Sequence, residues 1–354
     1  MNKKTILAIL SAVLLLSVLL TGCMGGNSSE KTVEVIAKGF QHDFWKAVKQ
    51  GADKAGKELG VKVNFVGPEG EGAIAAQVEM LNNAINKKPA AICIAALDTT
   101  ASLDAVNKAK ANNIPVIGFD SGVPGAPEGT IFANASTDNY KAGELAAQKM
   151  YDAIKGKLTT GNPRIGVVSQ EANSQSISMR TQGFLDKMVN LIESADGFQK
   201  GSVAIIGHTK FANGVTNGKV TIDVAIPAEI NDTQGQTSAQ TLLNKNDLIA
   251  IYGSNEFAAK AIINADAAIS GGKIGPDKVI AVGFDSGALQ IDAIRNKKFL
   301  GSVTQDPVSI GYRAVELAVR AMNGETGVED IDTGSKWYDA SSIDSEQIKP
   351  LLYQ

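Results

Sequence analysis

The sequence predicts an α/β protein built as two doubly wound parallel-sheet lobes. Three observations predict it. Short, near-continuous apolar runs alternate with helical segments. The alternation restarts part-way along the chain. One nine-residue pattern occurs twice, once in each half. Strands covered by helices on both faces read as unbroken apolar runs, whereas half-solvated strands alternate. At 354 residues the chain exceeds one ordinary core and suits two domains.

The first set of elements opens with a β-rich run at 33–37. Residues 44–59 have helical spacing, with Phe44, Ala47, Val48, Ala52, Ala55 and Leu59 on one side and Gly60 as the stop. Strands are expected at 61–66, 90–95 and 115–119, and helices at 72–86 and 99–112. The second set begins with a strand at 129–133 and a helix at 138–154. Strands at 164–169, 202–208, 219–226, 248–252, 278–282 and 300–304 follow. Helices are expected at 176–192, 233–243, 257–269, 289–296 and 307–323. Segment 209–218, rich in Asn and Gly, reads as a hairpin insertion between two strands.

The first residues form an address. Lys3 and Lys4 precede a 16-residue run without a charge, which ends at Leu20-Thr21-Gly22-Cys23. A basic start, a short apolar span and small residues before a cut describe a secretory signal. Residues 1–22 are therefore expected to be removed. The ending resembles the bacterial lipobox, which implies a lipid on Cys23. Residues 23–31 are Gly/Asn/Ser-rich and read as a flexible lipid-anchored tether. The mature protein is then expected outside the cytoplasmic membrane, at its outer face, in the periplasm or on the cell surface.

Composition narrows the function. Hydrophobic residues are 44% and charged residues 20%, a globular balance. Two cysteines exclude a disulfide scaffold or Cys₄ zinc site, and two histidines, His42 and His208, argue against a metal centre. Cys93, inside an apolar run, reads as a buried small hydrophobe. A net charge of −3 with no basic run makes a poor nucleic-acid binder. No Gly-x-Gly-x-x-Gly follows a strand, and no P-loop, Gly-x-Ser-x-Gly elbow or His-Glu-x-x-His helix occurs. The glycine-rich segment 67–72 is acidic and would repel phosphate. No cofactor and no catalysis are expected.

The repeat points to a binding cleft. Ile114-Pro115-Val116-Ile117-Gly118-Phe119-Asp120-Ser121-Gly122 echoes Val279-Ile280-Ala281-Val282-Gly283-Phe284-Asp285-Ser286-Gly287, with the aspartates 165 residues apart. Each aspartate follows an apolar strand, and open α/β sheets bind ligands beyond the carboxyl ends of their strands. Two facing lobes would bring both carboxylates into one cleft. The chemistry suits a neutral polyol, with aromatics on its C–H faces and Asp, Asn, Arg and Gln on its hydroxyls.

The lipobox, the two α/β lobes, the Val-x-Gly-Phe-Asp of each lobe and Gln305-Asp306-Pro307 together resemble bacterial sugar-transporter solute-binding proteins. The likeness is to the ribose-binding-protein branch of the type I periplasmic binding fold, from about residue 32 to 337. It implies Rossmann-like lobes joined by a three-strand hinge, with crossovers near Asn134, Gln305 and Thr333. The lobes are then 32–133 plus 306–333, and 134–305 plus 334–354. It further implies a monomer that captures a monosaccharide, closes, and delivers it to an ABC permease.

Motif by motif, the resemblance implies a site. Gln41-His42-Asp43-Phe44-Trp45 supplies Phe44 and Trp45 as ring walls and His42 as a hydrogen-bonding group. Asp120 takes hydroxyl protons. Ser121 stands where ribose binders carry Arg, which puts ribose itself in doubt. Arg180 is the arginine of the helix start before Gly183-Phe184, or else Ser178 occupies that place. Ile230 or Asn231 replaces another aromatic. Asn255, Phe284, Asp285 and Gln305 complete the set. Pentose, hexose, ketose and polyol stay open. A lac-repressor-type regulator shares this fold, but a signal and lipobox stand where its headpiece would be. An extracytoplasmic enzyme lacks a nucleophile–base set. A ligand-presenting sensor or chemoreceptor partner for a sugar-like signal is the remaining alternative.

Overall fold

The structure, a computed structural model, describes residues 31–40 and 42–353. The signal segment 1–22, Cys23 and the tether up to residue 30 lie outside the described residues, as does Gln41. Residues from Thr32 onward form one compact unit. Among the described residues no helix is long and apolar enough to cross a membrane.

In chain order the first elements are β1 (Thr32–Ile36), α1 (Asp43–Leu59), β2 (Lys62–Val66), α2 (Ile74–Lys87), β3 (Ala91–Ile94), α3 (Leu103–Ala111), β4 (Val116–Phe119) and β5 (Ile131–Ser136). Next come α4 (Asn139–Ile154), β6 (Arg164–Val168), α5 (Gln175–Glu193), β7 (Val203–Ile206), β8 (Val220–Ala225), α6 (Asp232–Leu243), β9 (Leu248–Gly253), α7 (Glu256–Ala267), β10 (Ile280–Phe284), α8 (Ala288–Arg295) and β11 (Phe299–Gln305). The chain ends with α9 (Pro307–Met322), β12 (Ile331–Asp332) and β13 (Ser335–Tyr338).

Two sheets result. The first has six strands ordered β12-β5-β4-β3-β1-β2, and the second has seven ordered β13-β11-β10-β9-β6-β8-β7. All pairs are parallel except β11 with β13. The central strands β3, β4 and β10 are buried at every position, which is why they read as apolar runs.

The chain passes between sheets three times, after β5, after β11 and after β12. Asn134 lies inside β5, and the first passage follows Ser136, two residues further on. The strand persists because its register with β4 continues to Phe119↔Ala135. The C-terminal segment divides between the two cores. Ile343 and Ile348 join the core of the second sheet. Tyr353 instead enters the core of the first, its ring 6.0 Å from Phe44.

The segment 209–218 is not a hairpin insertion. β7 and β8 pair parallel, Val203 opposite Val220, so residues 207–219 return the chain to the starting end of the sheet. A parallel pair needs such a crossover, and here it is made without a helix. Phe211, 4% exposed, plugs the crossover onto the second core.

Helix packing positions the site. α4 and α5 cross at Gly143 and Gly183, where an added Cβ would lie 2.1 Å from the carbonyl oxygens of Arg180 and Tyr140 respectively. Two missing side chains let the backbones touch, and the N-terminal turns of α5 are thereby held against the sheet edge.

Candidate functional site

The carboxyl ends of strands from both sheets converge on one closed cleft of about 30 Å³, room for one or two water molecules. Lys38 follows β1, Asp120 follows β4, Asn255 follows β9 and Asp285 follows β10. The N-terminal turns of α1, α5 and α7 complete the walls.

The two repeated aspartates share an unusual backbone. Asp120 has φ +52° and Asp285 φ +73°. A non-glycine residue seldom takes this left-handed conformation, although Asp tolerates it better than most. Strain of this kind is held in place by surrounding structure and concentrates at ligand clamps. In both, the backbone N–H stays anchored to the neighbouring strand, to Ala135 O at 3.0 Å and to Val303 O at 2.7 Å. The turn sends both carboxylates into the cleft, each 5% exposed.

On the first-lobe side, Lys38 Nζ lies 2.9 Å from Asp120 Oδ2 and also donates to Ser176 Oγ at 2.8 Å across the cleft. Lys38 thus supplies beside Asp120 the cation that Ser121 cannot. Ser121 Oγ donates to Ser176 Oγ at 2.7 Å and does not reach the cavity. Trp45 and Phe44 pack edge to face, centroids 5.0 Å apart. The Trp45 indole donates to Glu71 Oε1 at 2.7 Å. Gln170, from the other lobe, donates to Glu71 Oε2 at 2.7 Å and accepts from Asn255 Nδ2 at 2.7 Å. Trp45, Glu71, Gln170 and Asn255 therefore form one hydrogen-bonded chain across the cleft. Burial pushes the Glu71 carboxyl up, but His42, Lys38 and its hydrogen bonds outweigh this and hold it below the usual range.

On the second-lobe side, Arg180 is fully buried. Its guanidinium lies 3.5 Å above the Phe284 ring and donates to Asn139 Oδ1 at 2.8 Å and to Ser254 O at 2.9 Å. Its Nη1 lies 3.6 Å from Asp285 Oδ2. Arg180 is thus a cleft residue, not a helix-surface one, and Ser178 points away, donating to Ala172 O. Asp285 accepts from Gln305 Nε2 at 2.7 Å and from the Glu256 N–H at 3.1 Å. Burial nevertheless pushes its carboxyl up, against Arg180 and these donors.

His42 stands between two carboxylates. Its Nε2 is 4.0 Å from Glu71 and its Nδ1 is 4.0 Å from Glu256. Burial, with Asp285, Asp43 and Glu71 nearby, pushes the Glu256 carboxyl up to about 8, the Phe44 N–H opposing. Among the described residues, three polar atoms at the cleft have no hydrogen-bond partner: His42 Nε2, Glu256 Oε2 and Gln305 Oε1.

Of the residues singled out in the sequence, His42, Phe44, Trp45, Asp120, Arg180, Asn255, Asp285 and Gln305 line this cleft. Three do not. Ser121 is turned to Ser176, Phe284 lies beneath Arg180, and Asn231 caps α6 by accepting from the Gln234 N–H at 2.9 Å. Residues missed are Lys38, Glu71, Ser176, Ile177 and Glu256. Position after a strand end could have flagged Lys38, but the others carry no sequence signal of their own. Elsewhere, Cys93 is buried and donates to Ala314 O at 3.4 Å, its thiol pushed far up by burial.

Known proteins share this architecture. The ribose import binding protein of Bacillus subtilis is 25% identical over 301 residues, 85% of this chain and 84% of that protein. A solved structure from Brachyspira murdochii, described as an ABC transporter, LacI family transcriptional regulator, is 36% identical with TM-score 0.77, covering 93% of this chain and all of that one. An ABC transporter solute-binding protein from Agrobacterium vitis, solved with bound D-fucose, is 29% identical with TM-score 0.77, covering 91% of this chain and all of that one. The model of the periplasmic binding protein domain matches residues 33–326. By that match, on two parallel-sheet lobes that meet at their ligand edges, this chain belongs to the periplasmic binding protein domain family.

Proposed function

We propose that this protein is the solute-binding subunit of an ABC importer and captures a monosaccharide between its lobes. The observation that carries the reading is the pair of left-handed aspartates, one at the end of a strand from each sheet, facing one cleft. Asp120 and Asp285 accept hydroxyl protons, Asn255 and Arg180 add hydrogen bonds, and Trp45 with Phe44 walls the ring. The relatives support the solute class, since two of the three named carry ribose or D-fucose in their descriptions.

No bond is made or broken in this mechanism. Ligand contacts both lobes only when they are closed, and a ligand shifts a conformational equilibrium by its differential affinity for the two states. Lys38–Ser176 and Glu71–Gln170 are contacts that closure makes. The lobes are 32–136 plus 306–332 with Tyr353, and 137–305 plus 333–352. Lipidation at Cys23 would hold the protein at the outer face of the membrane as a monomer, beside the permease that receives the sugar.

The test is a thermal shift of the purified protein against pentoses, hexoses, ketoses, polyols and nucleosides, with tryptophan fluorescence in parallel. A bound ligand raises the midpoint in proportion to RT ln(1 + [L]/Kd), and Trp45 at the cleft reports contact. A response to one monosaccharide class supports the reading. Silence from every sugar refutes it.

A further inference from the structure

We propose that the ligand of this cleft is cationic: an amine-bearing monosaccharide whose ammonium group sits between Glu256, Gln305 and His42. This rests on the sugar-binding reading and specifies its substrate class.

The first observation is a charge imbalance. The cleft holds two fixed cations, Lys38 and Arg180, and four carboxyl groups, Glu71, Asp120, Glu256 and Asp285. Lys38 pairs with Asp120, and Arg180 lies against Asp285. Glu71 accepts from Trp45 and Gln170. Glu256 has the Phe44 N–H, but among the described residues no lysine or arginine lies within 4.0 Å of it. Its Oε2 accepts nothing, and its Oε1 has His42 Nδ1 at 4.0 Å, beyond hydrogen-bond reach. His42 is shared with Glu71, so even as a cation it would offset one of the two acids and leave the cleft acidic.

The second observation is independent of charge. Gln305 is 2% exposed, and its Nε2 is committed to Asp285. That bond fixes which end of the amide is oxygen, and Oε1 is left as a buried acceptor without a donor. His42, 8% exposed, likewise has an unpartnered Nε2. A buried acceptor without a partner is costly. The open atoms are thus predominantly acceptors. An ammonium group offers three donors and no acceptor. A hydroxyl brings one donor, with lone pairs that must face a carboxylate. The ammonium also supplies the charge that four acids and two bases lack, and a charge-assisted hydrogen bond to Glu256 is about twice as strong as a neutral one.

Isothermal titration of the full-length protein in mild detergent tests this. The probes are D-glucosamine, D-galactosamine and D-mannosamine, each beside its parent hexose and its N-acetyl form. At least one amine is expected to bind about tenfold or more tightly than both neutral counterparts. Glu256→Gln should erase that preference, weakening the amine by about tenfold or more. The proposal is overturned, with the sugar-binding reading intact, if neutral sugars bind as well as or better than the amines. An unchanged amine affinity in Glu256→Gln overturns it too. Silence from amines and neutral sugars alike refutes the sugar-binding reading itself. The sugar comparison on the unmodified protein decides the matter should Glu256→Gln fail to fold.

Discussion

Replacing Asp285 by Asn tests the cleft most directly. Asn keeps the shape of the side chain and tolerates the left-handed φ of +73°. Alanine would add a backbone penalty of about 1–2 kcal/mol there, mixing strain with lost recognition. The carboxylate has about four acceptor positions on its two oxygens. Gln305 uses one on Oδ1 and the Glu256 N–H one on Oδ2. Each oxygen therefore has room for one ligand hydroxyl. A hydrogen bond to a charged group contributes about 1.5–3 kcal/mol. Two such contacts are worth about 3–6 kcal/mol, or roughly 10²–10⁴ in affinity. The unliganded protein should change far less. Burial raises the Asp285 carboxyl, so at neutral pH the ionised group destabilises the fold relative to its neutral form. An amide removes that cost while Arg180 keeps Asn139 and Ser254. Sugar titration by calorimetry should show binding lost by at least about 100-fold. The apo unfolding midpoint should stay close to that of the unaltered protein. Binding within about threefold of the unaltered protein would refute the assignment of Asp285 to the ligand.

Three further outcomes are expected. Glu256 has its folded pKa raised to about 8, so its stabilising contribution is fully present below the unfolded carboxylate range and is lost as pH rises through about 8. The apo midpoint should accordingly fall between about pH 5 and 8 more steeply than that of Glu256→Gln, and parallel profiles would be contrary evidence. Asp43, Lys46, Glu71, Asp285 and His42 face the same group and are common to both profiles. Gly183→Ala would place a methyl 2.1 Å from Tyr140 O, forcing α5 off α4 at a cost of about 1–3 kcal/mol by denaturant titration. It should also weaken sugar binding, because α5 carries Ser176 and Arg180. Cys23→Ala should release the protein from membranes or leave it unprocessed, as fractionation would show, and normal membrane retention would count against lipidation.

Much of the scaffold was legible because its physics is local. Strands such as β3 and β10 are buried on both faces, so apolarity alone marks them. β13 was not legible: Ser335–Tyr338 is four residues long and antiparallel at a sheet edge. Nor was the direction of β7 against β8. Turn-rich composition describes a hairpin and a helix-free crossover equally well, and only the sheet order separates them. Within the site, residues in ordered motifs were found. Glu71 sat in what read as an acidic loop, and Glu256 carried no reading of its own. Their significance lies in partners remote in sequence, such as Gln170 for Glu71.

The amino-acid order by itself determined two α/β lobes, a duplicated strand-end aspartate and the absence of any familiar catalytic motif. These follow from periodicity and residue chemistry, which act over a few neighbours. The tertiary structure decided what those aspartates do. It set their left-handed backbone, paired one with Lys38 and the other with Arg180, and left Glu256, Gln305 and His42 with open atoms at the cleft. Charge balance and hydrogen-bond satisfaction in a buried site depend on which groups meet in space, and residues more than a hundred positions apart meet there.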